Sequence, residues 1–293
     1  MLKGVLLKGT SMKYLLLPLL ALFALILNSN PNQKALDDSE NYIFKETSSI
    51  DLKLYVFKPD DWDTSHKRPA IVFYFGGGWN SRHITQFVAY AKYYASKGYV
   101  CFIPNYRVRS SENSQAIDSV RDAQDAFAYV RKNSDQFGID TNRIAASGGS
   151  AGGHLAASLG TLQDLKNGDL SWPNALILFN PVCIVDPFKN PNRFNFARLG
   201  VKGYEISPYH HVDEKVPPTI IYHGTEDRIV PFKTAEMFHK RMLEFGNNSS
   251  LIPFDGRDHG FFNHGKHLAN SDYAKTLKFT DNFLSRIGWS KTD

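Results

Sequence analysis

Residues 143–160 read RIAASGGSAGGHLAASLG. The first five residues form an apolar run that predicts a strand, and the last seven have the small, apolar character of a buried helix. Between them lies Gly148-Gly149-Ser150-Ala151-Gly152-Gly153. A strand that turns sharply into a helix through G-x-S-x-G lifts the serine onto the helix N-terminus. The helix dipole and the free N–H groups there favour developing negative charge. Small residues also serve turns that only need close packing, so the motif depends on its context. A phosphate-binding loop would need a lysine that is missing here.

Three further motifs stand outward from this one, each directly after a predicted strand. Phe75-Gly76-Gly77-Gly78-Trp79 follows AIVFYF (70–75). Its glycines expose backbone N–H groups, and those of Gly77 or Gly78, with that of Ala151, are candidate donors to an oxyanion. Trp79 is the candidate substrate-contacting side chain. His223-Gly224-Thr225-Glu226-Asp227 follows TIIYH (219–223), and Asp227 is the candidate orienter of a histidine, with Glu226 second. Gly256-Arg257-Asp258-His259-Gly260-Phe261 follows SLIPF (250–254). Of the ten histidines, His259 is the one set between glycines after the last strand, which makes it the candidate general base. Ser150, Asp227 and His259 occur in the chain order expected of a nucleophile-elbow enzyme. Asn105-Tyr106-Arg107 is a supporting motif, with Arg107 expected to tie loops near the glycine turn.

The remaining pattern is α/β. Strands are predicted at 42–46, 52–57, 70–75, 99–104, 143–147, 175–180, 219–223 and 250–254, and helices at 84–96, 114–133, 151–161, 232–245 and 271–287. Strands alternating with helices predict a mostly parallel central sheet covered by helices on both faces. Continuous apolar strands fit burial on both sides. The first two strands alternate polar with apolar and predict an N-terminal antiparallel edge hairpin. Ser114 is the expected cap of the second helix, and Gly98 the glycine that ends the first. Residues 186–210 lack periodicity and predict a long insertion of the kind that forms substrate walls.

Together these motifs resemble the α/β-hydrolase superfamily of serine esterases, in its branch with an HGGG-type oxyanion loop (hormone-sensitive-lipase-like and feruloyl/acetyl esterase-like). The resemblance covers roughly residues 41–288. It implies the α/β-hydrolase fold, a Ser150–Asp227–His259 triad, and oxyanion donors at Gly77, Gly78 and Ala151. Phe75 stands where that family usually has a histidine, and Gly149 where the lipase-like branch commonly has an acid. The second departure leans toward the feruloyl/acetyl esterase-like or acylaminoacyl-peptidase-like branch.

The function expected is hydrolysis of carboxylic esters through an acyl-enzyme, with acyl groups on carbohydrates among the substrates. A serine peptidase of the prolyl-oligopeptidase or acylaminoacyl-peptidase type is the first alternative, and a non-catalytic hydrolase-fold binding protein the second. No cofactor is expected. No metal is expected, because His210-His211 have no carboxylate–histidine spacing around them. Three of the five net positive charges sit on Lys3, Lys8 and Lys13, and no basic block resembling a nucleic-acid patch remains elsewhere. Cys101 and Cys183 lie in apolar stretches and read as buried thiols. Tyr14 to Leu27 is an unbroken apolar run of 14 residues behind Lys13 and before Asn28-Ser29-Asn30. That is shorter than the roughly 20 residues needed to span a bilayer. It fits a signal peptide over 1–30, a linker over 31–40 and one domain over 41–293. The expected location is secreted or periplasmic, with an uncleaved membrane anchor as the alternative.

Overall fold

The computed structural model describes residues 31–162, 168–185, 198–266 and 270–289. The expected signal segment 1–30 and positions 186–197 of the expected insertion lie outside them. Chain contacts divide Met1–Asp37 from Asp38–Asp293. In the first unit, helix α1 occupies Pro31–Leu36, inside the stretch read as a linker.

The second unit is built on eight strands: β1 Glu40–Lys45, β2 Leu52–Phe57, β3 Arg68–Tyr74, β4 Val100–Pro104, β5 Ile139–Gly149, β6 Ala175–Phe179, β7 Thr219–Gly224 and β8 Ser249–Phe254. They form one sheet in the order β1-β2-β4-β3-β5-β6-β7-β8. β1 and β2 pair antiparallel, as do β2 and β4, and every other pairing is parallel. β4 and β6 are buried along their whole length, which their unbroken apolar runs require. β1 leaves its edge exposed and mixes polar with apolar residues accordingly.

The helices are α2 Val88–Ser96, α3 Arg109–Glu112, α4 Ala116–Lys132, α5 Ser134–Phe137, α6 Ala151–Leu159, α7 Phe232–Glu244 and α8 Ser271–Arg286. Successive residues of β3 show how they cover both faces. The Phe73 ring stacks on Phe87 and meets Tyr90 and Tyr94 of α2, and Tyr90 in turn packs edge-on to Tyr273 of α8. Tyr74 points the other way, and its hydroxyl donates to the Ala123 carbonyl of α4 at 2.8 Å. Every residue of α6 is buried, so this helix is core rather than cover.

Two helix starts differ from the sequence expectation. α2 begins at Val88, not near residue 84. Gln86 and Val88 bond back three residues, to His83 and Thr85. The Gln86 side chain is drawn away to the Gly76 N–H at 2.6 Å. α4 begins after Gln115, whose N–H is taken by the Asp118 carboxylate at 2.9 Å, so the Asp118 side chain closes the N-terminus in place of Ser114. At the other end of α2, Gly98 has φ +89° as a helix-ending glycine should. Cys101 and Cys183 are buried free thiols, and burial pushes both well above the ordinary range.

Candidate active site

The parallel strands β3, β5, β6, β7 and β8 deliver their carboxyl ends to one edge of the sheet, the edge where open α/β sheets bind ligands. Each of the sequence motifs leaves the sheet there. At the end of β5 the chain turns so tightly that Ser150 holds φ +57° and ψ −119°. For a residue with a side chain such backbone costs about 1–3 kcal/mol, and the surroundings must enforce it. The Ser150 N–H donates to the Phe179 carbonyl at 2.9 Å, and its carbonyl accepts from His154 and Val182.

The turn also needs flanks without side chains. A Cβ on Gly152 would sit 2.0 Å from the Tyr74 carbonyl oxygen and 2.3 Å from that of Phe75, both backbone. Gly152→Ala is therefore expected to destabilise the protein by about 3 kcal/mol or more. Thermal melting together with fluorophosphonate labelling of Ser150 checks this. A melting temperature unchanged within a degree or two would contradict the close approach of the elbow to β3. A Cβ on Gly149 would lie 2.5 Å from Cζ of Phe262. That ring fills the place an acidic side chain would need, which accounts for the glycine.

His259 reaches Ser150 from the loop after β8. Its Nε2 is 2.9 Å from Ser150 Oγ, and its Nδ1 is 2.7 Å from Asp227 Oδ2. The Asp227 loop after β7 holds the carboxylate from several sides. Oδ1 accepts the N–H groups of Ile229 and Val230, each at 2.8 Å. Oδ2 is also 3.3 Å from Nε2 of the fully buried His223, which bonds the Val230 carbonyl at 2.8 Å. Burial opposes charge on Asp227. The bonds from His223, His259 and Val230 outweigh it and hold the carboxyl well below the usual range. Glu226 is exposed, and Asp258 pairs outward with Lys266 at 3.2 Å.

Gly77, Gly78 and Trp79 line one cleft of about 620 Å³ together with Ser150, Ile229 and Val230. The Gly77 carbonyl is turned into its own loop, where it accepts from Asn80 and Ser81 at 3.0 Å each. Trp79 holds φ +54° and meets the His154 ring edge-on at 5.0 Å. The Asn105-Tyr106-Arg107 motif works differently from the expectation. Arg107 pairs with Asp122 of α4 through Nε and Nη2, both at 2.8 Å. It is Tyr106 that reaches the glycine turn. It stacks on Phe75 at 4.1 Å and donates its hydroxyl to the Phe75 carbonyl at 2.6 Å. Phe75 thus braces the turn by packing.

Sequence reasoning passed over three residues of the site. Asn180, just past β6, accepts the Gly260 N–H at 2.9 Å and so fixes the His259 loop. Its φ of +33° is one asparagine tolerates, and an Asn-Pro pair ending a buried strand was the available signal. Gln86 joins the glycine turn to the same loop through Asn263 at 3.0 Å. Arg198 enters the cleft and donates to the Gly78 carbonyl at 3.3 Å. His210 and His211 are held by Ser207 and the Tyr204 carbonyl. Among the described residues, no three His, Cys, Asp or Glu gather as a metal would require.

His154, four residues past Ser150, is fully buried and bonds the Ile206 carbonyl at 2.6 Å. Burial pushes its pKa down to about 4. The unfolded chain binds a proton near pH 6.5 that the folded chain refuses, so stability is full above 6.5 and falls from there toward pH 4. Urea unfolding at pH 7, 6 and 5 should show this slope, and His154→Gln should lessen it by up to one proton. An equal slope in both proteins would place the titration elsewhere.

A serine–histidine–aspartate chain at the carboxyl edge of this sheet defines a serine hydrolase built on the α/β-hydrolase plan. Residues 54–185 match the BD-FAE family model and residues 192–286 the prolyl oligopeptidase family. The thermophilic esterase Est2 of Thermogutta terrifontis is 42% identical, with a TM-score of 0.81 over 87% of this chain and 94% of that one. The same esterase has been described phosphoramylated by tabun, in a structure with a TM-score of 0.83. Esterase LipC of Mycobacterium tuberculosis is 29% identical over 66% of this chain and 53% of its own length. Acetylxylan esterase of Xylanibacter ruminicola is 28% identical over 76% of this chain and 45% of its own. This chain belongs to the α/β-hydrolase serine esterases. It spans about half the length of the curated relatives it matches.

Proposed function

We propose that the protein hydrolyses carboxylic esters through a covalent acyl-enzyme. The observation that carries this is the unbroken Ser150 Oγ–His259 Nε2–His259 Nδ1–Asp227 Oδ2 chain, with bonds of 2.9 and 2.7 Å. In this reading Ser150 Oγ attacks the ester carbonyl carbon while its proton passes to His259 Nε2. Asp227 keeps the other ring proton on Nδ1 and stabilises the imidazolium. The N–H groups of Gly77, Gly78 and Ala151 receive the oxyanion, each worth about 3 kcal/mol to the transition state. Collapse breaks the bond to the alcohol oxygen, which takes the proton from His259. Water then attacks the acyl-enzyme by the same route and releases the acid. Trp79 forms part of the substrate wall.

Acyl groups on carbohydrates are the substrate class we favour, since a relative is an acetylxylan esterase. We place the protein outside the cytoplasm, secreted or periplasmic, because of the apolar run from Tyr14 to Leu27. Turnover of p-nitrophenyl acetate and of acetylated xylan, with release of acetate as readout, tests the reading. Cleavage of aminoacyl anilides in preference to every ester would move the assignment to a peptidase, the reading that the match of residues 192–286 supports. Failure of Ser150 to react with a fluorophosphonate would leave only a binding scaffold.

A further inference from the structure

We propose that Arg198 makes the cleft selective for esters that carry a carboxylate. The inference rests on the ester-hydrolase reading above and names the class of ester. Among the described residues lining the cleft, Arg198 is the charged one, and no carboxylate side chain lines it. The rest of the wall is glycine backbone, Asn80 and the side chains of Trp79, Val182, Leu199, Ile229 and Val230.

Arg198 differs from four arginines that are tied to acids. Arg68, Arg82, Arg107 and Arg143 each have a carboxylate at 2.8 Å, on Asp61, Glu112, Asp122 and Asp140. The bond the structure gives Arg198 is to a neutral partner, the Gly78 carbonyl, through one Nη2. A guanidinium has five N–H donors, arranged as a fork that fits a carboxylate with two parallel bonds. Among the described residues nothing else takes its remaining donors, which leaves them to a ligand. Asp227 does not compete for them, because His259, His223 and the N–H groups of Ile229 and Val230 already take its oxygens.

The location suits recognition during turnover. Gly78, whose carbonyl receives Arg198, is also the residue whose N–H is assigned to the oxyanion. A carboxylate held by Arg198 would then lie a short chain away from the reacting carbonyl. The walls are apolar, so the field of a single cation is less screened there than on the open surface.

Matched ester pairs test this. Mono-p-nitrophenyl glutarate and p-nitrophenyl pentanoate differ by a carboxylate on the acyl side, and meta-acetoxybenzoate and meta-acetoxytoluene by one on the alcohol side. In at least one pair kcat/KM of the charged ester should exceed that of the neutral one by about tenfold, the equivalent of about 1.4 kcal/mol. The advantage should sit in KM. The ratio should collapse in Arg198→Gln and be retained in part by Arg198→Lys. A ratio at or below one in both pairs would overturn the proposal. So would a ratio that Arg198→Gln leaves unchanged, which would mean that Arg198 acts on all esters alike through Gly78. If no ester is turned over, the esterase reading itself has failed. Calorimetry on Ser150→Ala then decides the matter by binding alone. Monomethyl glutarate binding more tightly than methyl pentanoate, with the difference lost in Ser150→Ala/Arg198→Gln, supports the proposal, and equal binding overturns it.

Discussion

Ser150→Ala is expected to lower kcat on p-nitrophenyl acetate by about a millionfold, leaving the residual rate to the glycine turn and the cleft. The size of the loss follows from what the substitution removes. His259 keeps its place, because Asp227 binds its Nδ1 and Asn180 and Gln86 hold its loop from outside the triad. Without Oγ, however, nothing can form the acyl bond, and the histidine has no proton to take. Stability should change little, because Ala holds the same strained φ of +57° as Ser. Ser150→Gly separates the two effects. It should be as inactive as the alanine variant yet more stable by about 1 kcal/mol, since glycine adopts that backbone without strain. Stopped assays with the two variants, together with thermal melts, read both quantities. Activity in Ser150→Ala within a hundredfold of the parent would remove Ser150 from the chemistry.

The parts of this site that were legible in the sequence are those whose chemistry is local. A serine on a strained turn needs glycines within two residues, so GGSAGG announces itself. Asp227 and His259 each follow a strand, and the order of the three along the chain carries the information that single residues lack. The parallel sheet was legible for a similar reason, because IVFYF and ALILF can be buried only on both faces. The residues passed over act across long sequence separations. Gln86 and Asn263 are 177 positions apart, and Arg198 and Gly78 are 120. Nothing in the immediate neighbourhood of either polar side chain tells it from an ordinary surface residue. Arg107 was read in the wrong direction because adjacent residues leaving a strand point to opposite sides. Tyr106 takes the glycine turn and Arg107 takes Asp122. The start of α2 differs for a tertiary reason as well, since the Gln86 side chain is engaged by the Gly76 N–H, a partner ten residues away on the glycine turn.

Asp227→Asn should lower kcat by about ten-thousandfold while leaving a folded protein, and the hydrogen-bond pattern dictates why. The amide replacing the carboxylate has one acceptor oxygen and one donor nitrogen. The N–H groups of Ile229 and Val230, both 2.8 Å from Oδ1, demand the oxygen at that position. The amide nitrogen is then forced to the Oδ2 position, 2.7 Å from His259 Nδ1 and 3.3 Å from His223 Nε2. There it donates to His259 Nδ1, which must give up its hydrogen. The ring proton moves to Nε2, the atom that faces Ser150 Oγ, and the base is lost. His223 is left with a second conflict. Its Nε2 carries the hydrogen it gives to the Val230 carbonyl, so it now faces another donor. The variant should therefore also lose about 1–3 kcal/mol of stability. Rate measurements across pH check the tautomer argument. In the parent Asp227 should stay charged across the whole range, since its carboxyl is held well below the usual range. The variant should recover part of its rate at high pH, where hydroxide substitutes for the missing base. A variant within tenfold of the parent at neutral pH would mean that His259 is oriented by something other than Asp227.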